Sequence, residues 1–145
     1  MTSLEIEALI PHRGRMKLIE EILDVNEDGA TTAARASARW PLRRDDSVDS
    51  LVLIELVAQT AAVHISWKKG YGTSAGGRGW IVGIKTADFF RERIPLGTGL
   101  ITTVKTSNQI DRYSILEGEV RTGTEELLCR IRIQVFRADA SGERP

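Results

Sequence analysis

The stretch from Ser50 to Lys69 restricts the possible folds more than any other part of this sequence. Apolar residues recur along it at three- and four-residue steps, and others fill the remaining faces. A helix that is apolar nearly all round is buried on most sides. We therefore predict one long helix, capped by Ser47 or Asp49 and enclosed by the rest of the chain. The helical spacing is set by Leu51, Ile54, Ala58, Ala61 and Ile65.

The segments on both sides of this helix have the period of strands. From Cys129 to Val135, apolar and polar residues alternate, which is typical of a half-buried antiparallel strand. Arg39–Asp49 is charged and irregular, and Gly70–Gly79, with five glycines, reads as a flexible loop. Two strands, one helix and four strands predict an α+β domain in which an antiparallel sheet wraps around the helix. The other predicted strands are Leu18–Val25, Ala30–Ala38, Trp80–Phe89, Leu100–Thr106 and Ser114–Arg121.

The composition is that of one ordinary globular domain. Of the 145 residues, 41% are hydrophobic and 28% are charged, which is enough to bury a core. We assign residues 1–137 to the domain and residues 138–145 to a disordered tail. Lys and Arg together number 20, as do Asp and Glu, so no surplus of charge points to nucleic acid.

Three features bear on the compartment. A single Cys excludes an internal disulfide framework and fits a reducing environment. No run approaches the ~18 apolar residues of a membrane span, and the first residues lack the basic start and apolar core of a secretion signal. We therefore expect a cytoplasmic protein without a membrane span.

Glu55 is the most informative candidate for chemistry. It stands early in the long helix, where no other charge occurs for many residues. Burying an unpaired carboxylate costs several kcal/mol, so this group should be protonated, paired or directed into a cavity. Gln59 lies on the same face one turn further on, and Ala58 and Ala62 leave room beside it. A polar notch that binds a ligand and a buried Glu–Arg pair at a subunit interface are both consistent with this pattern.

The chain has only two histidines. His12 lies in Ile10-Pro11-His12-Arg13, and both a structural and a catalytic role fit it. His64 lies two and a half turns after Glu55 on the opposite face of the helix, so we interpret it as a packed side chain. Two histidines and one Cys cannot supply a zinc cluster of the usual spacing, and we expect no metal.

The start of the long helix is a second candidate for chemistry. Free backbone amides of a first turn carry partial positive charge and can hold a thioester oxygen or an oxyanion. We predict that the Ser50 amide does so, because a backbone donor tolerates almost any side chain.

Three motifs carry a resemblance to a known family. Ile10-Pro11-His12-Arg13, followed by Met16-Lys17-Leu18-Ile19-Glu20, is similar to the opening "LPHR…MLLIDRVL" of hotdog dehydratases. Glu55-Leu56-Val57-Ala58-Gln59 resembles their "E-x-M-A-Q" helix, and Ile94-Pro95-Leu96-Gly97 resembles their "P-x-G" turn, after a strand that contains Gly83-Ile84-Lys85. The chain is most similar to the 3-hydroxyacyl-carrier-protein dehydratases of aryl-polyene-type gene clusters.

The resemblance implies a hotdog fold and a homodimer with its acyl tunnel at the subunit interface. The reaction would remove water from a 3-hydroxyacyl thioester, carried by acyl carrier protein or coenzyme A, to give the trans-2-enoyl product. Glu55 matches the general acid, and apolar surroundings favour the protonated form of a carboxyl group. Gln59, Ser50, Gly83 and Arg13 would bind the substrate. No cofactor is expected.

One departure from the family pattern concerns the base. The better-known dehydratases carry a catalytic His in a "G-H-F-P-G" turn before the helix, where this chain has Ala38-Arg39-Trp40-Pro41-Leu42. Arg39, at the position of the base, cannot take a proton near neutral pH. Either His12 is the base, or the protein is an accessory subunit that binds a thioester without dehydrating it. A third alternative is hydrolysis of the thioester by an acid-activated water.

Overall fold

The computed structural model describes residues 3–10, 12–68 and 79–137. The elements are α1 (Ser3–Leu9), a 3-10 turn (Gly14–Met16), β1 (Glu21–Val25), β2 (Gly29–Arg35), β3 (Arg43–Arg44), β4 (Ser47–Asp49), α2 (Val52–Lys68), β5 (Gly79–Phe89), β6 (Arg93–Pro95), β7 (Gly99–Ile110), β8 (Tyr113–Thr122) and β9 (Leu127–Arg137).

Six strands form one antiparallel sheet in the order β1-β2-β7-β8-β9-β5. The helix α2 contacts every strand of this sheet, and Leu53, Leu56 and Val57 on it have no exposed surface. The apolar faces that predicted burial are therefore covered by strands from both halves of the chain. The predicted α+β hotdog arrangement is confirmed.

A second sheet, in the order β3-β4-β6, takes two of its three strands, β3 and β4, from the segment Arg39–Asp49 that the sequence predicts as irregular. Its strands have two or three residues each, too few to show a period. Besides the backbone pairing of its strands, one side chain bridges it: the Arg93 guanidinium donates to the hydroxyl and carbonyl oxygens of Ser47 and to the carbonyl oxygen of Arg44. Trp40 is buried in the same apolar cluster as Val48 on β4 and Ile94 on β6.

Several predicted boundaries shift in the structure. The first strand begins at Glu21 rather than Leu18, because the Leu18 amide bonds to a side chain of α2 instead of a neighbouring strand. The predicted loop up to residue 78 and the predicted tail at 138–145 lie outside the described residues. In the part of the chain that is described, no helix is both long and apolar enough to cross a membrane.

Candidate functional site

One face of α2 is left partly open by the sheet. Leu51, just before the helix, is 52% exposed, and the partly buried positions in the first three turns that follow are Ile54, Glu55, Ala58 and Ala62. Their spacing of three and four residues places them on one side of the helix. We call Leu51, Ile54, Ala58 and Ala62 the apolar strip. Glu55 is the charged group beside it.

Glu55 is paired with His12. The His12 Nε2 atom lies 2.9 Å from Glu55 Oε1, and the two side chains are 25% and 33% exposed. Of the outcomes that the sequence left open for this carboxylate, the structure shows pairing, and the partner is a histidine of the same chain rather than an arginine. The pair is open enough for a small reacting group to reach it.

Arg13 holds the backbone that carries His12. Its guanidinium donates to the carbonyl oxygens of Ile10 at 2.7 Å, His12 at 2.8 Å and Glu7 at 2.7 Å. Glu7 lies in the last turn of α1, and Ile10 and His12 follow the helix, where a helix end leaves carbonyl acceptors without partners. The guanidinium predicted to bind substrate is therefore engaged by its own chain, and the substrate-binding role stays untested.

Gln59 joins the segment after His12 to the helix. Its Nε2 donates to the carbonyl oxygen of Met16 at 2.6 Å and, over a longer 3.4 Å, to Glu55 Oε1. Its Oε1 accepts the Leu18 amide at 2.9 Å. Because the side chain has no exposed surface, the structure supports a structural use of this amide rather than the predicted contact with substrate.

The two nitrogens of His12 have different surroundings. Nε2 faces Glu55, whereas Nδ1 is buried and finds no hydrogen-bond partner among the described residues. A proton on Nδ1 would be left unsatisfied, at a cost of ~1–3 kcal/mol. Of the two neutral tautomers, the free chain therefore favours the one that carries its proton on Nε2 and donates it to the Glu55 carboxylate.

The Ser50 amide is not a free donor in this structure, and its predicted role in holding a thioester oxygen stays a prediction. This amide donates to the carbonyl oxygen of Glu92 at 2.9 Å, next to the place where β4 pairs with β6. The amide that was predicted to hold a thioester oxygen therefore bonds next to the small second sheet in this structure. Asp49 does cap the helix start, since its Oδ1 accepts the Leu51 amide at 2.9 Å.

The remaining candidates are distributed over the fold. Gly83 lies on β5 opposite Gln134, next to a bulge, and an added Cβ there would meet nothing within 4 Å. His64 is fully buried, as expected for a packed side chain.

Burial raises the pKa of the Cys129 thiol to about 12, which excludes a thiolate nucleophile near neutral pH.

Sequence reasoning missed how the site is held together. The expected substrate contacts Arg13 and Gln59 act on the backbone on either side of His12. A signal was available for Gln59, because a buried amide on an apolar helix needs protein partners for its hydrogen bonds. Within the described residues, no group of three His, Cys, Asp or Glu side chains is arranged to hold a metal ion.

Comparisons with known proteins agree with this fold. A family model described as ApeP-like, ApeP dehydratase, matches residues 4–143. The structure is similar to a chain of the dehydratase heterocomplex ApeI:P from Xenorhabdus doucetiae, at 19% identity and a TM-score of 0.78, covering 94% of this chain and 93% of that one. A search of curated protein sequences finds no match.

Two further solved structures are more distant. A hypothetical thioesterase with coenzyme A from Streptococcus pneumoniae is 13% identical, with a TM-score of 0.67 and coverage of 82% of this chain and 85% of that one. The PaaI protein of the E. coli phenylacetic acid degradation operon is 18% identical, with a TM-score of 0.66 and coverage of 81% and 82%. At these identities the likeness establishes the fold.

Proposed function

The chain belongs to the ApeP-like dehydratase family, and we propose that it removes water from a 3-hydroxyacyl thioester to give the trans-2-enoyl thioester. The observation that carries this proposal is the pairing of His12 Nε2 with Glu55 Oε1 at 2.9 Å beside the apolar strip. Dehydration needs one group that takes a proton and one that gives a proton, a few ångströms apart. Imidazole and carboxyl side chains are the groups that enzymes use most often for these two tasks.

The His12–Glu55 pair can take up and supply the protons that the dehydration moves. One member takes the proton from C2, the electrons of that bond form the C2=C3 double bond, and the C3–O bond breaks. The other member gives a proton to the departing hydroxyl, which leaves as water. Because the two groups are within hydrogen-bond distance, the proton gained by the first can pass to the second, and this restores the starting state.

The roles within the pair depend on which nitrogen of His12 carries the proton. If His12 is the base and Glu55 the acid that the resemblance implies, the neutral imidazole carries its proton on the buried Nδ1, so that Nε2 is free to take the C2 proton. If Glu55 is the base, the Nε2–H of His12 is the acid. Exchange of the C2 proton with solvent tests this assignment in the Glu55→Gln variant. If this variant no longer removes water but still exchanges the C2 proton, His12 is the base. If it neither removes water nor exchanges the C2 proton, Glu55 is the base.

The apolar strip supports an acyl substrate. Leu51, Ile54 and Ala58 are partly exposed beside Glu55 and carry no charge, so an acyl chain can bury surface against them. The thioester would be presented by acyl carrier protein or coenzyme A. We place the protein in the cytoplasm, in keeping with its single, buried Cys.

The test is incubation of the protein with 3-hydroxyacyl thioesters on acyl carrier protein and on coenzyme A, with products identified by mass. Loss of water on either carrier supports the proposal. Release of free thiol instead would show a thioester hydrolase. An unchanged substrate that nevertheless binds would rule out catalysis by this chain alone.

A second candidate function is that of a subunit in a mixed dehydratase assembly. The observation that favours it is the ApeI:P structure, which is described as a dehydratase heterocomplex. In that case the chain would bind a partner dehydratase and support its turnover. Turnover that appears only when the partner is added, and that survives the Glu55→Gln substitution, would establish this role.

A further inference from the structure

The segment that carries His12 is attached to α2 at both ends. Before His12, the Ser66 hydroxyl donates to the carbonyl oxygen of Leu9 at 2.7 Å. After His12, Gln59 bonds to Met16 and Leu18. Glu55 lies on the same helix, so these two attachments fix how far His12 lies from it.

Gln59 differs from Ser66 because it also reaches the pair. The same Nε2 that donates to Met16 is 3.4 Å from Glu55 Oε1, the oxygen that faces His12. One NH2 group therefore bonds to the His12-bearing segment and to the carboxylate. With both its oxygen and its nitrogen engaged and no exposed surface, this side chain acts through its neighbours and does not contact a ligand.

We propose that Gln59 is the positioning residue of the His12–Glu55 pair, fixing the segment from Met16 to Leu18 on α2 and orienting the Glu55 carboxylate. Its effect on turnover rests on the proposed dehydratase activity. Its effect on the geometry of His12 does not, and the two are measured separately.

The test compares Gln59→Met with Thr60→Val. Methionine keeps the length of the side chain and removes its hydrogen bonds. Thr60 is the next residue and is equally buried, but its hydroxyl bonds to Thr32 and to the carbonyl oxygen of Leu56, outside the His12 segment. Both variants lose buried hydrogen bonds on α2, and only the first loosens the pair.

We expect kcat of Gln59→Met to fall about 100-fold with KM nearly unchanged, because a displacement of ~1 Å at a reacting group costs that much in rate. Thr60→Val should keep the wild-type kcat. Equal effects of the two variants on kcat, or a loss in Gln59→Met that appears in KM alone, would show a merely structural role and overturn the proposal.

Imidazole ¹⁵N NMR gives the reading that is independent of turnover. The chain has two histidines, so the signals of His12 are assigned by their loss in His12→Ala. They should move in Gln59→Met and stay in place in Thr60→Val, while those of His64 stay in place in Gln59→Met. Unmoved His12 signals overturn the positioning role, whether or not the protein is a dehydratase.

Moved His12 signals in a protein without any turnover would keep the positioning role and reject the dehydratase proposal. If Gln59→Met does not fold, hydrogen exchange of the Leu18 amide in the wild type decides instead. Protection of this amide, which donates to Gln59 Oε1, is expected. Exchange at the rate of a free peptide would overturn the proposal.

Discussion

The Glu55 carboxyl group has to exchange a proton with the substrate if the proposed dehydration occurs. Glutamine copies the shape of this side chain but can neither gain nor lose that proton. Since losing general acid–base catalysis costs ~100- to 10,000-fold in rate, we expect Glu55→Gln to lower kcat by that range while the chain stays folded. Turnover and thermal unfolding, measured on the same preparation, check this.

The control for this variant is Glu126→Gln. Glu126 also forms an ion pair, with Arg91 at 2.9 Å, but it is exposed and lies outside the His12–Glu55 pair. The Glu126→Gln variant should turn over substrate at the wild-type rate. Unchanged turnover in Glu55→Gln would refute the acid–base role of Glu55, and unfolding of this variant would identify a structural ion pair.

His12 should carry its proton on Nε2 in the free protein. Its Nδ1 is buried and has no partner among the described residues, whereas Nε2 lies 2.9 Å from the Glu55 carboxylate. Imidazole ¹⁵N chemical shifts distinguish the two neutral tautomers. A predominant Nδ1–H form would show that an acceptor satisfies Nδ1 in solution, and it would favour His12 as the base.

Single residues of the site were predictable to different degrees. Glu55 stood out because a lone charge on an apolar helix needs a physical reason. Its pairing with His12 was not predictable, since sequence order does not specify how closely the segment after α1 approaches α2. The hydrogen bond of the Ser50 amide was not predictable, because its partner, Glu92, precedes a strand too short to recognise.

At the level of elements, α2 and β8 meet at Gly118. A Cβ added to this glycine would lie 2.5 Å from Val57 Cγ1, on the helix that carries Glu55. We expect Gly118→Ala to lower the free energy of unfolding by ~1–3 kcal/mol through overpacking. Denaturant titration measures it, with Gly99→Ala as control, because nothing lies within 4 Å of the Cβ position there.

Val57→Ala provides the second half of this test. In the double variant the smaller residue at 57 leaves room for the new methyl group, so the two losses should not add. A coupling of ~0.5–3 kcal/mol is typical of residues in contact. Additive losses would mean that α2 and β8 are further apart than the structure shows.

Long elements were predicted well and short ones were not. The helix from Ser50 to Lys69 is observed as Val52–Lys68, and the strand from Cys129 to Val135 as Leu127–Arg137, because several turns or alternations define a period. The sheet β3-β4-β6 pairs strands of two or three residues and is bridged by the side chain of Arg93, and neither feature produces a period. Tertiary contacts of this kind leave no trace in the local sequence.

At the scale of the whole molecule, the main sheet ends in two edges of unequal length. β1 has five residues and β5 has eleven. Within the described residues, β5 pairs only with β9, so its other side presents a row of backbone donors and acceptors. Long edges of this kind invite a further strand, and Ile84 on β5 is 48% exposed.

We expect two copies of the chain to pair through β5 in a two-fold homodimer. A two-fold axis at this edge would place β5 antiparallel to its copy, continue the sheet and bury Ile84. Light scattering at micromolar concentration should give twice the 16.0 kDa of one chain.

Ile84→Lys should shift the protein toward monomer, because a charge on an edge strand opposes pairing. Ile110→Lys, at a residue 64% exposed on β7, should leave the dimer intact. A wild-type protein that scatters as a monomer would refute the homodimer, and the open edge of β5 would then be the surface to test with a second dehydratase subunit.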